Sequence, residues 1–106
     1  MDKINIELHE NCENWVMYEF AKRLGITPMQ LIAPNKKPRI SDVRQLYCKL
    51  RYELHGLTFV ELGEELGRAH TTVRYGVLRI NDLLRLNDKR TLAMWNRVRD
   101  ISELPI

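Results

Sequence analysis

Between Gly56 and Gly67 the chain has little conformational choice. Leu57-Thr58-Phe59-Val60-Glu61-Leu62 puts Thr58 and Glu61 at the two positions of a capping box, and Leu57 and Leu62 at those of a hydrophobic staple. A helix over 59–66 therefore starts just beyond one glycine and stops at the next, Gly67, after two turns. Arg68-Ala69 turns the chain. A second helix begins near His70 and continues to about Leu86, with Val73, Val77, Ile80 and Leu84 on its inner face, spaced four, three and four residues apart. Helices joined by so short a turn must cross steeply. That needs a small residue inside the first, a glycine at the turn and apolar side chains at the crossing. Gly63, Gly67 and the set Leu62, Leu66 and Val73 meet these needs, so residues 58–80 read as a helix-turn-helix. One position departs from the pattern: the later apolar site falls on Gly76, with Val77 beside it. A plain helical hairpin shares this outline, so pattern alone leaves the binding and structural readings open.

The rest of the chain is helical in pattern, and no segment alternates apolar and polar residues long enough for a half-buried strand. A first helix starts near Asn11 or Asn14, either of which suits an N-cap. It runs to Leu24 with Trp15 or Val16, Phe20 and Leu24 on one face, and Gly25 stops it. Thr27-Pro28-Met29-Gln30 restarts a short helix that ends near Ala33, with Thr27 as cap and Gln30 at the capping-box position. Residues 34–40 are expected as an exposed basic loop, since two prolines interrupt them. Ser41 is expected to cap a helix over 42–55 with Val43, Leu46, Leu50 and Leu54 inward, ended by Gly56. Asp88 caps a last helix over 89–102 with Leu92, Trp95 and Val98 inward. The expected fold class is all-α, a compact domain of about six helices over 11–102. An acidic segment over 1–10 precedes it and a tail over 103–106 follows.

Charge is distributed unevenly over the 106 residues. The net charge is +3, yet residues 1–20 carry −4 and the remainder +7. Residues 34–51 alone hold Lys36, Lys37, Arg39, Arg44, Lys49 and Arg51 against Asp42, an excess that attracts polyanions. The longest uncharged stretch, Leu24 to Asn35, has 12 residues and two prolines, too short and broken to cross a bilayer. The first residues lack the basic start and apolar run of a secretion signal, and two cysteines make no disulfide framework, so a reducing cytoplasm is expected. His9-x-x-Cys12 and Cys48 with His55 lack finger spacing, so no metal or other cofactor is expected and both thiols read as buried or incidental. No acid–base–nucleophile set follows from the spacing of the histidines and cysteines, so no catalysis is expected either.

Around the helix that starts near His70, at about 100° per residue, Thr71, Tyr75, Leu78 and Asp82 point outward, with Arg74 and Arg79 flanking them. The first two turns offer hydroxyls, an aromatic ring and cations, while Asp82 would repel phosphate. Only the N-terminal end therefore suits a nucleic-acid groove, and there the helix dipole and free N–H groups also favour anions. His70, Thr71 and Thr72 can reach base edges or phosphates, and one of the three is expected to cap the helix instead.

Gly67-Arg68-Ala69-His70-Thr71-Thr72-Val73 resembles the signature of the C-terminal DNA-binding domain of the bacterial replication initiator DnaA, written G-x-R-D-H-T-T-V. Arg44-Gln45 after the basic stretch, and Glu61-Leu62-Gly63 before the turn, match that family as well. The resemblance implies a sequence-specific, non-catalytic binder of double-stranded DNA. His70, Thr71 and Thr72 would lie in the major groove, with Arg68, Arg74 and Tyr75 close by. Arg44, Gln45 and Thr58 would meet the backbone, with Arg44 also reaching bases. Lys36, Lys37 and Arg39 would enter the adjacent minor groove, where narrow A·T-rich stretches favour cations. Three features depart from the family: Ala69 replaces its Asp, the turn is one residue shorter than in many members, and Tyr52 replaces a backbone-contacting Lys. None of the five glycines is followed by Lys, so the chain has no Walker-type phosphate loop. The expected role is replication-initiation control or transcriptional regulation at the nucleoid, one mode being to occupy or mask initiator-type sites. The alternative is a docking module for a replication or transcription protein, through the acidic segment and Leu78. RNA binding ranks third, because stacking modules present their aromatics on a sheet.

Overall fold

The structure is a computed structural model and describes residues 15–34 and 37–103. The acidic segment 1–10, the caps expected at Asn11 and Asn14, the His9–Cys12 pair, Lys36 and tail residues 104–106 lie outside the described residues. Among the described residues there are six α-helices and no strand. They are α1 over 15–24, α2 Pro28–Ile32, α3 Pro38–Lys49, α4 Phe59–Leu66, α5 His70–Arg85 and α6 Lys89–Val98. No helix among the described residues is long and apolar enough to cross a membrane, and no group of three metal-ligating side chains occurs there.

The caps read from the sequence are where the chain turns. Both capping boxes form: Thr27 with Gln30, and Thr58 with Glu61. Asp88 accepts from the Thr91 N–H at 3.0 Å. Gly25, Gly56 and Gly67 take left-handed backbone angles where helices or turns end. One core joins Val16, Phe20, Leu31, Val43, Leu46, Leu62, Leu66, Val73, Val77, Ile80, Trp95 and Val98. The end of α6 is tied back to α1: Arg23 donates to the Arg97 carbonyl at 3.0 Å and to Asp100 at 2.6 Å, and the Trp15 indole donates to the Ser102 carbonyl at 3.2 Å.

Several boundaries differ from expectation. Pro38 starts α3, so the chain is helical from 38 and not from 42, and Ser41 is no cap. Its N–H bonds the Lys37 carbonyl at 2.9 Å inside the first turn. A proline at the first helical position loses no hydrogen bond, because that N–H is an orphan in any helix. Arg39 therefore rides on α3 instead of lying in a loop. At the other end, the last turn of α3 widens into a π turn over Leu50–Leu54. Each residue of a π turn advances less around the axis, so Leu54 falls off the inward stripe and is 52% exposed, while Arg51 is carried inside at 1%. In α6, Leu92 is exposed and Thr91 is buried, and the helix stops at Val98 rather than 102.

Arg51 finds its partner in the same turn. Its guanidinium donates to His55 Nδ1 at 2.8 Å, and His55 Nε2 lies 3.0 Å from the Ile101 carbonyl. A guanidinium only donates and a carbonyl only accepts, which fixes His55 as the neutral tautomer with its proton on Nε2. Burial lowers its pKa below the usual 6.5, against the raising effect of the Ile101 carbonyl and with further lowering by Arg51. The unfolded chain thus takes up a proton that the folded one refuses. Stability is complete above about 6.5 and is lost as pH falls through the lower, folded value. Thermal unfolding from pH 8 down to 5.5 should show a falling Tm, and His55→Gln should abolish that fall.

Gly63 is where α4 admits the turn. A Cβ built there would lie 2.5 Å from the Arg68 carbonyl oxygen, a backbone atom that cannot swing away. Gly63→Ala should cost about 1–3 kcal/mol of stability, read by urea denaturation.

Candidate nucleic-acid interface

The start of α5 is open, with residues 69–72 all exposed. Its N-cap is Ala69, which has no side chain to bond the first N–H groups, and the first intrahelical bond runs from the Val73 N–H to the Ala69 carbonyl at 3.2 Å. None of His70, Thr71 and Thr72 is therefore the cap, contrary to expectation. They occupy the first turn itself, and all three are exposed. Arg74 and Tyr75 follow on the same outer surface, Tyr75 at 62% exposure, while Val73, Gly76, Val77 and Ile80 pack inward. Asp82, farther along, is paired with Arg85. The outer face is as the helical period predicts: hydroxyls, imidazole, guanidinium and phenol in the first two turns, and an acid beyond them.

Gln45 stands beside this face, and Gly76 explains how. A Cβ at position 76 would meet Gln45 Cγ at 2.8 Å and its Cβ at 3.2 Å, so the glycine that departs from the apolar pattern lets α3 lie directly against α5. Arg79 donates to Gln45 Oε1 at 2.8 Å and to Asp42 at 2.7 Å, and Arg90 donates to the other Asp42 oxygen at 3.0 Å. With the Gln45 oxygen turned to Arg79, its amide N–H groups are the ones left to donate outward. Sequence reasoning missed this role of Arg79. Its position, three residues after Gly76 on the edge of the outer face, is the only signal that could have found it.

A small cleft between α3 and α5 brings several candidates together: Ser41, Arg44, Gln45, Arg68, Thr72 and Val73 line it. Ser41 was passed over because it read as a cap, yet its hydroxyl has no capping duty. Cys48 also lines the cleft. Burial pushes its thiol up to about 12, which keeps it protonated and unreactive.

Two arginines of the cleft are engaged within the fold. Arg44 is nearly buried. Its Nε donates to the Leu31 carbonyl at 2.8 Å, with longer bonds to the Gln30 and Ala33 carbonyls at 3.5 and 3.4 Å. Burial, and then the charge of Arg68, lowers its proton affinity from the usual arginine value. Arg68 donates to the carbonyls of Ile32, Leu66 and Ala33 at 3.0, 2.7 and 2.9 Å. Both groups expected at DNA are thus engaged with helix-end carbonyls, which draw the same donors that a phosphate would.

Lys37 is the exposed N-cap residue of α3, and Arg39 is exposed on its first turn, with one nitrogen 3.5 Å from the Leu24 carbonyl. Thr58 is exposed at the start of α4, where its oxygen accepts from the Glu61 N–H at 3.0 Å and its own proton is left to donate.

Residues 16–80, from α1 into α5, match the family described as bacterial dnaA protein helix-turn-helix. The chain belongs to that family. It is 30% identical over 95 residues to the chromosomal replication initiator protein DnaA of Thermomicrobium roseum, covering 86% of this chain and 20% of that protein. With the DnaA of Borreliella burgdorferi strain B31 it shares 36% identity over 89 residues, covering 83% of this chain and 17% of that protein. The chain thus spans about a fifth of the length of these curated relatives. The DnaA signature falls on the turn and the first turn of α5, the surface described above.

The two kinds of residue on this surface should separate in stability measurements. Arg44→Met leaves buried carbonyls without their donor and should cost about 1–3 kcal/mol in urea denaturation. His70→Ala touches only an exposed side chain and should stay within about 0.5 kcal/mol.

Proposed function

We propose that this chain binds double-stranded DNA without catalysis, in the control of replication initiation. The first two turns of α5 enter the major groove. The observation that carries this reading is the uncapped, outward start of α5, with His70, Thr71 and Thr72 exposed on the turn that bears the DnaA signature. His70 and the two threonines read base edges, with the threonine methyls suited to thymine. Arg74 and Tyr75 meet the flanking backbone. Gln45 donates to a phosphate from the side, held by Arg79, and Thr58 donates from the start of α4. Lys36, Lys37 and Arg39 reach the adjacent minor groove. Ala69, in place of the family's Asp, leaves no carboxylate at the helix start, so phosphates approach the α5 N–H groups without repulsion.

Selection of duplexes from a random pool by the purified protein tests this. An enriched motif is expected, and its likeness to the initiator box distinguishes box occupancy from a regulator with its own site. On the enriched duplex, His70→Ala and Thr72→Ala should each weaken binding by about 1–3 kcal/mol. Lys37→Ala should lower affinity for every sequence and reduce the slope of log K against log salt by about 0.9. Unchanged affinity in all three variants would move the face to protein docking through Leu78.

A further inference from the structure

We infer that Arg90, on α6, is a further phosphate contact: it takes the phosphate next to the one met by Gln45 and so carries the duplex footprint from the helix-turn-helix onto the last helix. The inference rests on the duplex-binding reading above and adds a contact to it.

The starting point is a carboxylate in the middle of a DNA-contacting surface. Along α3, Arg39, Asp42 and Gln45 follow one another at intervals of three residues, so Asp42 is a near neighbour of two groups proposed to meet DNA. A bare acid there would repel the sugar-phosphate backbone. It is covered from both sides instead. One oxygen accepts from Arg79 at 2.7 Å and the other from Arg90 at 3.0 Å, which leaves the trio with one positive charge in excess. Asp88, the neighbouring acid, is held at its own helix start by the Thr91 N–H and hydroxyl, at 3.0 and 2.6 Å, and exposed Lys89 beside it offsets its charge.

The two guanidinium groups are not equivalent. Arg79 is committed to Gln45 as well as to Asp42. Arg90 uses Nη1 for Asp42 and its side chain is 54% exposed, which leaves Nη2 and Nε to donate outward. Such a fork holds a carboxylate with one arm and a phosphate with the other. Contacts in series, none longer than 3.0 Å, run from Gln45 to Arg79, from Arg79 to Asp42 and from Asp42 to Arg90. The Arg90 head is therefore held beside the group that Gln45 faces, with little freedom left to lose on binding. The family match ends at residue 80, before α6 begins, so the DnaA signature does not point to this position.

The test follows binding of the full chain to a duplex of random sequence as salt is varied, at a temperature where circular dichroism shows each variant folded. Arg90→Ala should weaken binding about five- to tenfold at roughly 0.1 M salt and reduce the slope of log K against log salt by about 0.9. Arg90→Gln keeps an amide to donate to Asp42 but removes the cation. It should show the same loss, and it provides the measurement if the alanine variant does not fold. Arg97→Ala takes the same charge from the far end of α6 and should leave the slope unchanged. On the duplex that the wild-type protein enriches, one phosphate whose ethylation blocks the wild-type chain should cease to matter for Arg90→Gln, and its neighbour should cease to matter for Gln45→Ala.

A wild-type slope in Arg90→Gln would mean that Arg90 only ties α6 to α3, and would overturn the inference. Equal losses in the Arg90 and Arg97 variants would overturn it as well, because general charge would then account for them. So would a pair of affected phosphates that are not adjacent. If the wild-type chain binds no duplex, the duplex-binding reading fails first and this inference with it.

Discussion

The contact between Gly63 and the backbone of Arg68 sets the geometry of everything around it. The Arg68 N–H bonds the Gly63 carbonyl at 2.8 Å, while the Arg68 carbonyl rests where a side chain at 63 would be. The chain is thus pressed against α4 just after the left-handed Gly67, and from that point it can start α5 only in one direction. Leu62, Leu66 and Val73 then meet in the core, and the Arg68 side chain is thrown back toward the end of α2. Any side chain at 63 would move the turn, and with it the position of His70 relative to α2. The same small-residue logic recurs at Gly76, where α5 is close enough to α3 for Gln45 to lie flat against it.

Much of this was legible because it is local. A capping box, a proline at the first helical position and a glycine at a helix end act over four or five residues, and Thr27, Thr58, Asp88, Gly25 and Gly67 all behave as their neighbours dictate. The outer face of α5 was legible for the same reason, since one uninterrupted helix of sixteen residues keeps its period. What failed depended on distant contacts or on a change of period. Pro38 fits both a loop and a helix start, and only the packing of Ile40 and Val43 beneath it decides between them. The π turn breaks the period on which Leu54 was placed, and nothing in residues 50–54 announces it. Arg44 and Arg68 look from their charge like phosphate ligands, and nothing local announces that carbonyls at the end of α2, 11 to 36 residues away, receive them as well.

Those two arginines change how the face should be understood. With them engaged in the fold, much of what the helix-turn-helix offers is hydroxyl and amide, from Thr71, Thr72 and Gln45, beside His70, Tyr75 and Arg74. Neutral donors contribute little through long-range attraction, which decays over a Debye length in any case, so their value lies in being at the right place. Placement has to come from the fold, and the fold supplies it by satisfying every supporting charge locally. Asp42 is shared between Arg79 and Arg90, Arg79 in turn orients Gln45, and the end of α2 occupies Arg44 and Arg68. Arg44, Arg68 and Arg79, cations that might have gripped any polyanion, are spent on holding a few hydrogen-bonding groups in register. Under the proposed duplex-binding reading, a surface organised in this way would trade indiscriminate affinity for discrimination between sites.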